Sequence, residues 1–120
     1  MKIIYQNQIN KFKNSKVCYG DEYPLGDKDI NGAVIEVKGR YPDKGRVVNQ
    51  KCKELVYVLD GSGKVVVEGK ESSFNKGDLF LIEPGEKYFW QADCVVLICC
   101  SPAFYPEQHK YTKWQKTKNL

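Results

Sequence analysis

Residues 54–90 constrain the fold of this 120-residue chain more than any other stretch. They read ELVYVLDGSGKVVVEGKESSFNKGDLFLIEPGEKYFW. Short runs of β-branched and aromatic residues alternate with Gly, Asp, Asn and Pro, and nothing in the stretch repeats at helical spacing. The run 54–59 ends at Asp60-Gly61-Ser62-Gly63, a strong turn signal, so residues 64–68 are expected to return as its partner strand. Further strands are expected at 71–74, 79–82, 88–91 and 94–100, and upstream at 16–19 and 33–38. Residues 21–31 and 39–45 read as loop and turn because Pro, Gly and Asp crowd them. Many short strands at regular spacing mean a sandwich or a barrel.

Composition narrows the class. Apolar residues make up 42% of the chain, enough for one sizeable core. The longest apolar run, residues 94–100, is far short of the ~18 residues of a membrane span. The opening MKIIYQNQINKFKN lacks an apolar stretch of signal-peptide length, so the expected location is cytoplasmic. The net charge of +4 comes from the end of the chain. Residues 110–120 hold four lysines and no acid, and the 15 basic residues that precede them balance 15 acidic ones. A basic terminal tail without a basic patch elsewhere gives no reason to expect nucleic-acid binding. Five cysteines without a Cys-x-x-Cys pair are expected to be reduced and to act mainly as small hydrophobes. Cys99 and Cys100 should face opposite ways in a strand.

The spacing inside this stretch resembles the cupin family. Glu54 is followed by six residues and Gly61, and Gly77 precedes Pro84-Gly85 and the aromatic cluster. The cupin motifs run His-x-His, three or four residues, Glu, six residues, Gly, and then Gly, about six residues, Pro-Gly and a His three residues on. The resemblance covers about residues 33–102 and implies an all-β, cupin-type barrel, a jelly-roll-like double-stranded β-helix. The expected organisation is a single domain, 1–120, with a barrel core at about 33–102 and a basic tail at 110–120.

The three motif histidines are absent. Counting back three residues from Glu54 places the His-x-His pair at Val48 and Gln50, and counting back four places it at Val47 and Asn49. The late histidine falls on Tyr88. Valine cannot coordinate, and amides and a neutral phenol replace imidazole poorly, so no transition metal and no cofactor are expected. The candidate ligand-binding residues are Glu54, Tyr88, Trp90, Asn49, Gln50 and His109.

Each candidate has a plain structural alternative. An inward Glu54 accepts ligand hydrogen bonds or acts as a general base, whereas an outward one pairs with Lys51 or Lys53. Tyr88 and Trp90 share a strand face and either wall a pocket or fill the barrel. His109, the one histidine in the chain, lies either exposed in a polar segment or folded over the barrel mouth. Arg40 and Arg46 flank the 39–45 turn and are either solvated or available to an anionic ligand.

The expected function is binding of a small, hydroxyl-rich or sugar-like molecule inside the barrel, without the usual metal. The alternatives are an enzyme, either a sugar isomerase or epimerase or a metal enzyme with altered ligands, and a dimerisation module with a filled barrel. Fold alone does not choose among them. A homodimer is expected, by pairing of sheets or exchange of terminal strands, with residues 1–19 available for exchange.

Overall fold

The computed structural model describes residues 1–112. Two long antiparallel strands form its spine: β5 (Lys53–Val67) and β8 (Lys87–Ser101), paired from Lys53↔Ser101 to Val67↔Tyr88. Strict alternation along β8 explains why it holds fifteen residues. Tyr88, Trp90, Ala92, Cys94, Val96, Ile98 and Cys100 are all buried on one face. In β5, Glu54, Val56 and Val58 point the same way, while Leu55, Tyr57 and Leu59 are exposed on the other face.

The remaining strands are β1 (Asn10–Ser15), β2 (Cys18–Tyr23), β3 (Asn31–Tyr41), β4 (Arg46–Asn49), β6 (Lys70–Asn75), β7 (Leu79–Ile82) and β9 (His109–Thr112). The sheet runs β1-β2-β3-β8-β4-β9, and β5 carries β6 and β7 on its far side. The whole sheet curls, so its inner faces meet in a core that includes Val37, Val56, Val58, Val65, Ile82 and Val96. This is the all-β, cupin-type barrel expected from the motifs. Among the described residues no helix is long and apolar enough to cross a membrane.

The structure corrects several local readings. Asp60-Gly61-Ser62-Gly63 is not a hairpin turn. β5 runs straight through it, and residues 64–67 pair with β6 and β8 rather than with residues 54–59. The glycines serve a close approach instead. A Cβ on Gly63 would lie 2.3 Å from the Ala92 Cβ, and one on Gly61, whose φ is 80°, would lie 2.1 Å from the Asp93 oxygen. A register shift between Val58 and Asp60 immediately precedes these glycines. The expected strands at 88–91 and 94–100 are one strand, because β3 and β5 both pair across the intervening Ala92-Asp93. Gly39, Arg40 and Tyr41, expected in a turn, end β3, and β2 extends to Tyr23 in the expected loop. β4 and β9 carry no sequence signal of their own.

All five cysteines are free thiols, with Cys100 buried inward and Cys99 half-buried on the outer face. Lys110 is exposed in β9, and the rest of the expected basic tail, residues 113–120, lies outside the described residues.

Candidate functional site

Curling of the sheet leaves a cavity of about 430 Å³ in the barrel, so the interior is not filled. Apolar side chains make most of its wall, Ile35, Ile98 and Phe104 among them, and Trp90 closes one side. Trp90 also packs into the core, with its ring 5.7 Å from Phe74 and 5.6 Å from Phe80. Trp90 thus lies between the cavity and the packed core.

Strand pairing explains how the polar groups converge. The Val47↔Tyr88 pair brings β4 beside the start of β8, and Asn49 lies two residues further along the same strand. The Asn49↔His109 pair then places β9 on the other edge of β4. Tyr41 ends β3 opposite Trp90. Glu54 arrives from elsewhere. It pairs with Cys100, twelve residues along β8 from Tyr88, yet the Tyr88 hydroxyl donates to its Oε2 at 3.4 Å. Barrel closure alone makes that contact.

A chain of hydrogen bonds links these groups. Asn49 Nδ2 donates to the Tyr88 hydroxyl at 3.2 Å. Its Oδ1 accepts from Gln108 Nε2 at 3.0 Å and contacts His109 Nδ1 at 2.8 Å. His109 Nε2 lies 3.0 Å from the Tyr41 hydroxyl, which is 2.9 Å from the Tyr111 hydroxyl. Behind them, Gln108 Oε1 accepts the backbone N–H groups of Lys51 and Cys52, each at 3.1 Å.

Burial sets the charge of the site. Glu54 is 6% exposed, and burial raises its carboxyl above the usual range against the opposing hydrogen bonds from Asn49 and Tyr88. Burial lowers His109 to about 4, so the imidazole is neutral at pH 7. The Tyr41 and Tyr88 phenols are pushed up, chiefly by burial, and stay protonated. Glu54 is the inward glutamate rather than a surface partner of lysine, and Lys53 reaches Glu83 instead.

Glu54, Tyr88, Trp90 and His109 thus line one cavity, with Asn49 buried against it. Gln50 does not join them. It follows the last residue of β4 and is exposed, with its backbone N–H bonded to the Gln108 carbonyl. The four-residue count is the one the fold uses, since Val47 lies in the core and Asn49 points at Tyr88. His109 folds against the cavity rather than lying free, because β9 pins it to β4. Arg40 donates to the carbonyls of Pro42 and Gly45 and lies 3.9 Å over the Phe89 ring, away from the cavity.

Sequence reasoning missed Tyr41, Gln108 and Tyr111. Alternation through Val37, Gly39 and Tyr41 was a usable signal for the first, had β3 been extended past Gly39. Nothing local marks Gln108 or Tyr111, whose roles depend on pairing across some sixty residues.

The residues present do not fit a transition metal. Glu54 is the one carboxylate at the motif positions, burial raises its pKa and so disfavours the ionised form that a metal needs, and the His109 imidazole is engaged by Asn49 and Tyr41. Among the described residues no group of three or more His, Cys, Asp or Glu is placed to hold an ion.

A family model, the EutQ-like cupin domain, matches residues 40–96. No curated protein sequence matches the chain. Among solved structures, Streptomyces PAC13 with uridine is 14% identical, with a TM-score of 0.84 over 97% of this chain and 93% of that one; another structure of Pac13 describes it as a unique nucleoside dehydratase. Ectoine synthase from P. lautus is 14% identical, with a TM-score of 0.73 over 100% of this chain and 96% of that one. KdgF from Halomonas sp. is 17% identical, with a TM-score of 0.63 over 83% and 94%. At these identities the likeness is one of fold.

Proposed function

We propose that this chain, which has the cupin-type barrel fold, binds one small, uncharged, hydroxyl-bearing organic molecule in its barrel cavity and does so without a transition metal. The observation that carries this reading is a cavity of about 430 Å³, apolar on most sides, into which Glu54, Tyr88, Tyr41 and His109 present polar atoms. That size and mixture suit a small organic ligand. Trp90 offers a ring to stack on, and the phenols and the carboxyl offer orienting hydrogen bonds.

Charge supports the uncharged ligand. Among the described residues no lysine or arginine lines the cavity, and Glu22 and Glu54 are the carboxyls that do. An anionic group buried there would meet no counter-charge, which is costly in an apolar site. Uridine, present in the PAC13 structure, is an uncharged molecule of this class.

The cavity makes the filled-barrel reading unnecessary. Binding by a homodimer in a reducing cytoplasm completes the proposal, and the five free thiols fit that setting. Uridine and uridine monophosphate form a matched test pair for titration calorimetry. The uncharged member should bind at least about tenfold more tightly, because burying a phosphate without a counter-charge costs more than the ~1.4 kcal/mol that a tenfold ratio represents. Tighter binding of the phosphate, or heat from neither member nor any neutral polyol or nucleoside, overturns the proposal.

A further inference from the structure

We propose that Gln108 is a positioning residue that fixes the direction of the hydrogen bonds through Asn49, His109 and Tyr41, so that the Tyr41 wall of the cavity accepts a hydrogen bond from the bound ligand. The inference rests on the binding reading above and adds to it which way the site is polarised.

The direction follows from counting protons, starting where there is no choice. Backbone N–H groups only donate, so the Gln108 atom that meets those of Lys51 and Cys52 is its oxygen. Its other terminal atom is therefore the amide nitrogen, which donates to Asn49 and makes the contacted Asn49 atom Oδ1. Oδ1 cannot donate, so His109 Nδ1, 2.8 Å away, carries the ring proton. A neutral imidazole has one such proton, which leaves a bare lone pair on Nε2. The Tyr41 hydroxyl, 3.0 Å from Nε2, gives it its only proton. The 2.9 Å contact between Tyr41 and Tyr111 must then run from Tyr111 to Tyr41.

On the other arm, Asn49 Nδ2 donates to Tyr88, which frees the Tyr88 proton for Glu54 Oε2. Gln108 is 2% exposed and Asn49 0%, so solvent offers no competing partner.

A ligand group that meets Tyr41 or Tyr111 faces lone pairs and must itself be a donor, a hydroxyl or an N–H. Tyr41 is the group that touches ligand, His109 the acceptor behind it, and Gln108 the residue that aims both.

His109 is the only histidine in the chain, so its ring nitrogens can be read without ambiguity in a uniformly ¹⁵N-labelled sample. At pH 7 to 8 and without any ligand, Nδ1 should have the shift of a protonated nitrogen and Nε2 that of a bare one. Gln108→Glu changes one atom. At pH 8 its carboxylate, held by the two backbone N–H groups, must accept a hydrogen bond from Asn49. The amide flips, its nitrogen faces His109, and the wild-type signature should be lost in favour of a proton on Nε2. Wild-type protein with the proton on Nε2, or imidazolium at pH 7, overturns the inference even if the variant does not fold. So does a folded Gln108→Glu with an unchanged wild-type signature. Because no ligand is needed, this outcome is read separately from success or failure of the uridine titrations.

Discussion

Glu54 and His109 share one hydrogen-bonded network but respond oppositely to pH. Glu54 has a folded-state pKa raised above its unfolded value, so the native state holds a proton that the unfolded chain has released. Its contribution is fully present below about pH 4.5 and is lost as the pH climbs through the raised value. His109, lowered from 6.5 to about 4, behaves in reverse: the unfolded chain binds the proton first. Its contribution is complete above pH 6.5 and disappears as the pH falls toward 4, a span worth up to ~3 kcal/mol. Urea unfolding of wild type and Glu54→Gln across pH 4 to 9 should separate the two. The amide keeps the shape and never titrates, so Glu54→Gln should lose less stability than wild type between about pH 5 and 9. Parallel profiles would mean that Glu54 is not held protonated. The acid limb should survive in Glu54→Gln and vanish in His109→Gln.

At the scale of strands, the β5–β8 pair carries the barrel, and its glycines show why. Gly63→Ala places a methyl group 2.3 Å from the Ala92 Cβ and 2.6 Å from its Cα, so the two strands must part. We expect a loss of about 2–3 kcal/mol or more, as for other overpacked interiors. Gly69→Ala is the contrast: its φ is positive, at 80°, unlike that of Gly63, but nothing lies within 4 Å of the added carbon. It should cost only the backbone strain, ~1–2 kcal/mol. Equal melting temperatures for the two variants would sink the close-approach explanation. Trp90 belongs to the same element, and its contacts with Phe74 and Phe80 make Trp90→Ala a core truncation costing ~3–5 kcal/mol. Thermal melts check both. These glycines also mark how far the sequence could be read. Motif spacing around Glu54, Gly61 and Tyr88 was sufficient for the barrel and for naming Glu54 and Tyr88 as candidates, but it left the direction of Glu54 open. A Gly-rich tetrad, however, reads the same whether the chain turns or presses against a neighbour, and the neighbour, Ala92-Asp93, lies some thirty residues away. Gln108 and Tyr111 were illegible for the same reason, since each acts through a partner that only the closed sheet supplies.

At the scale of the whole molecule, one apolar face is left uncovered by the described residues. On the outside of the spine, Leu55 lies opposite Leu81 and Cys99, and Tyr57 lies opposite Leu79 and Leu97. Leu55, Tyr57, Leu59, Leu79 and Leu81 are each between 39% and 61% exposed. Three adjacent strands therefore present one contiguous apolar surface, larger than the scattered single residues normal for a monomer. The proposed homodimer uses this face. Two copies packed sheet on sheet about a twofold axis would set Leu and Tyr rows against each other, as the inner faces of a sandwich do. Residues 1–19 remain the competing means of association, with Ile3 and Tyr5 exposed and β1 at the sheet edge. Tyr57→Glu combined with Leu81→Glu discriminates between them, because both side chains point away from the cavity. Light scattering at tens of micromolar, on the order of a usual working concentration, should give a dimer for wild type and a monomer for the double variant, with uridine affinity changed less than about threefold. A monomeric wild type ends the dimer proposal, and a double variant that stays dimeric moves the interface to the N-terminal segment.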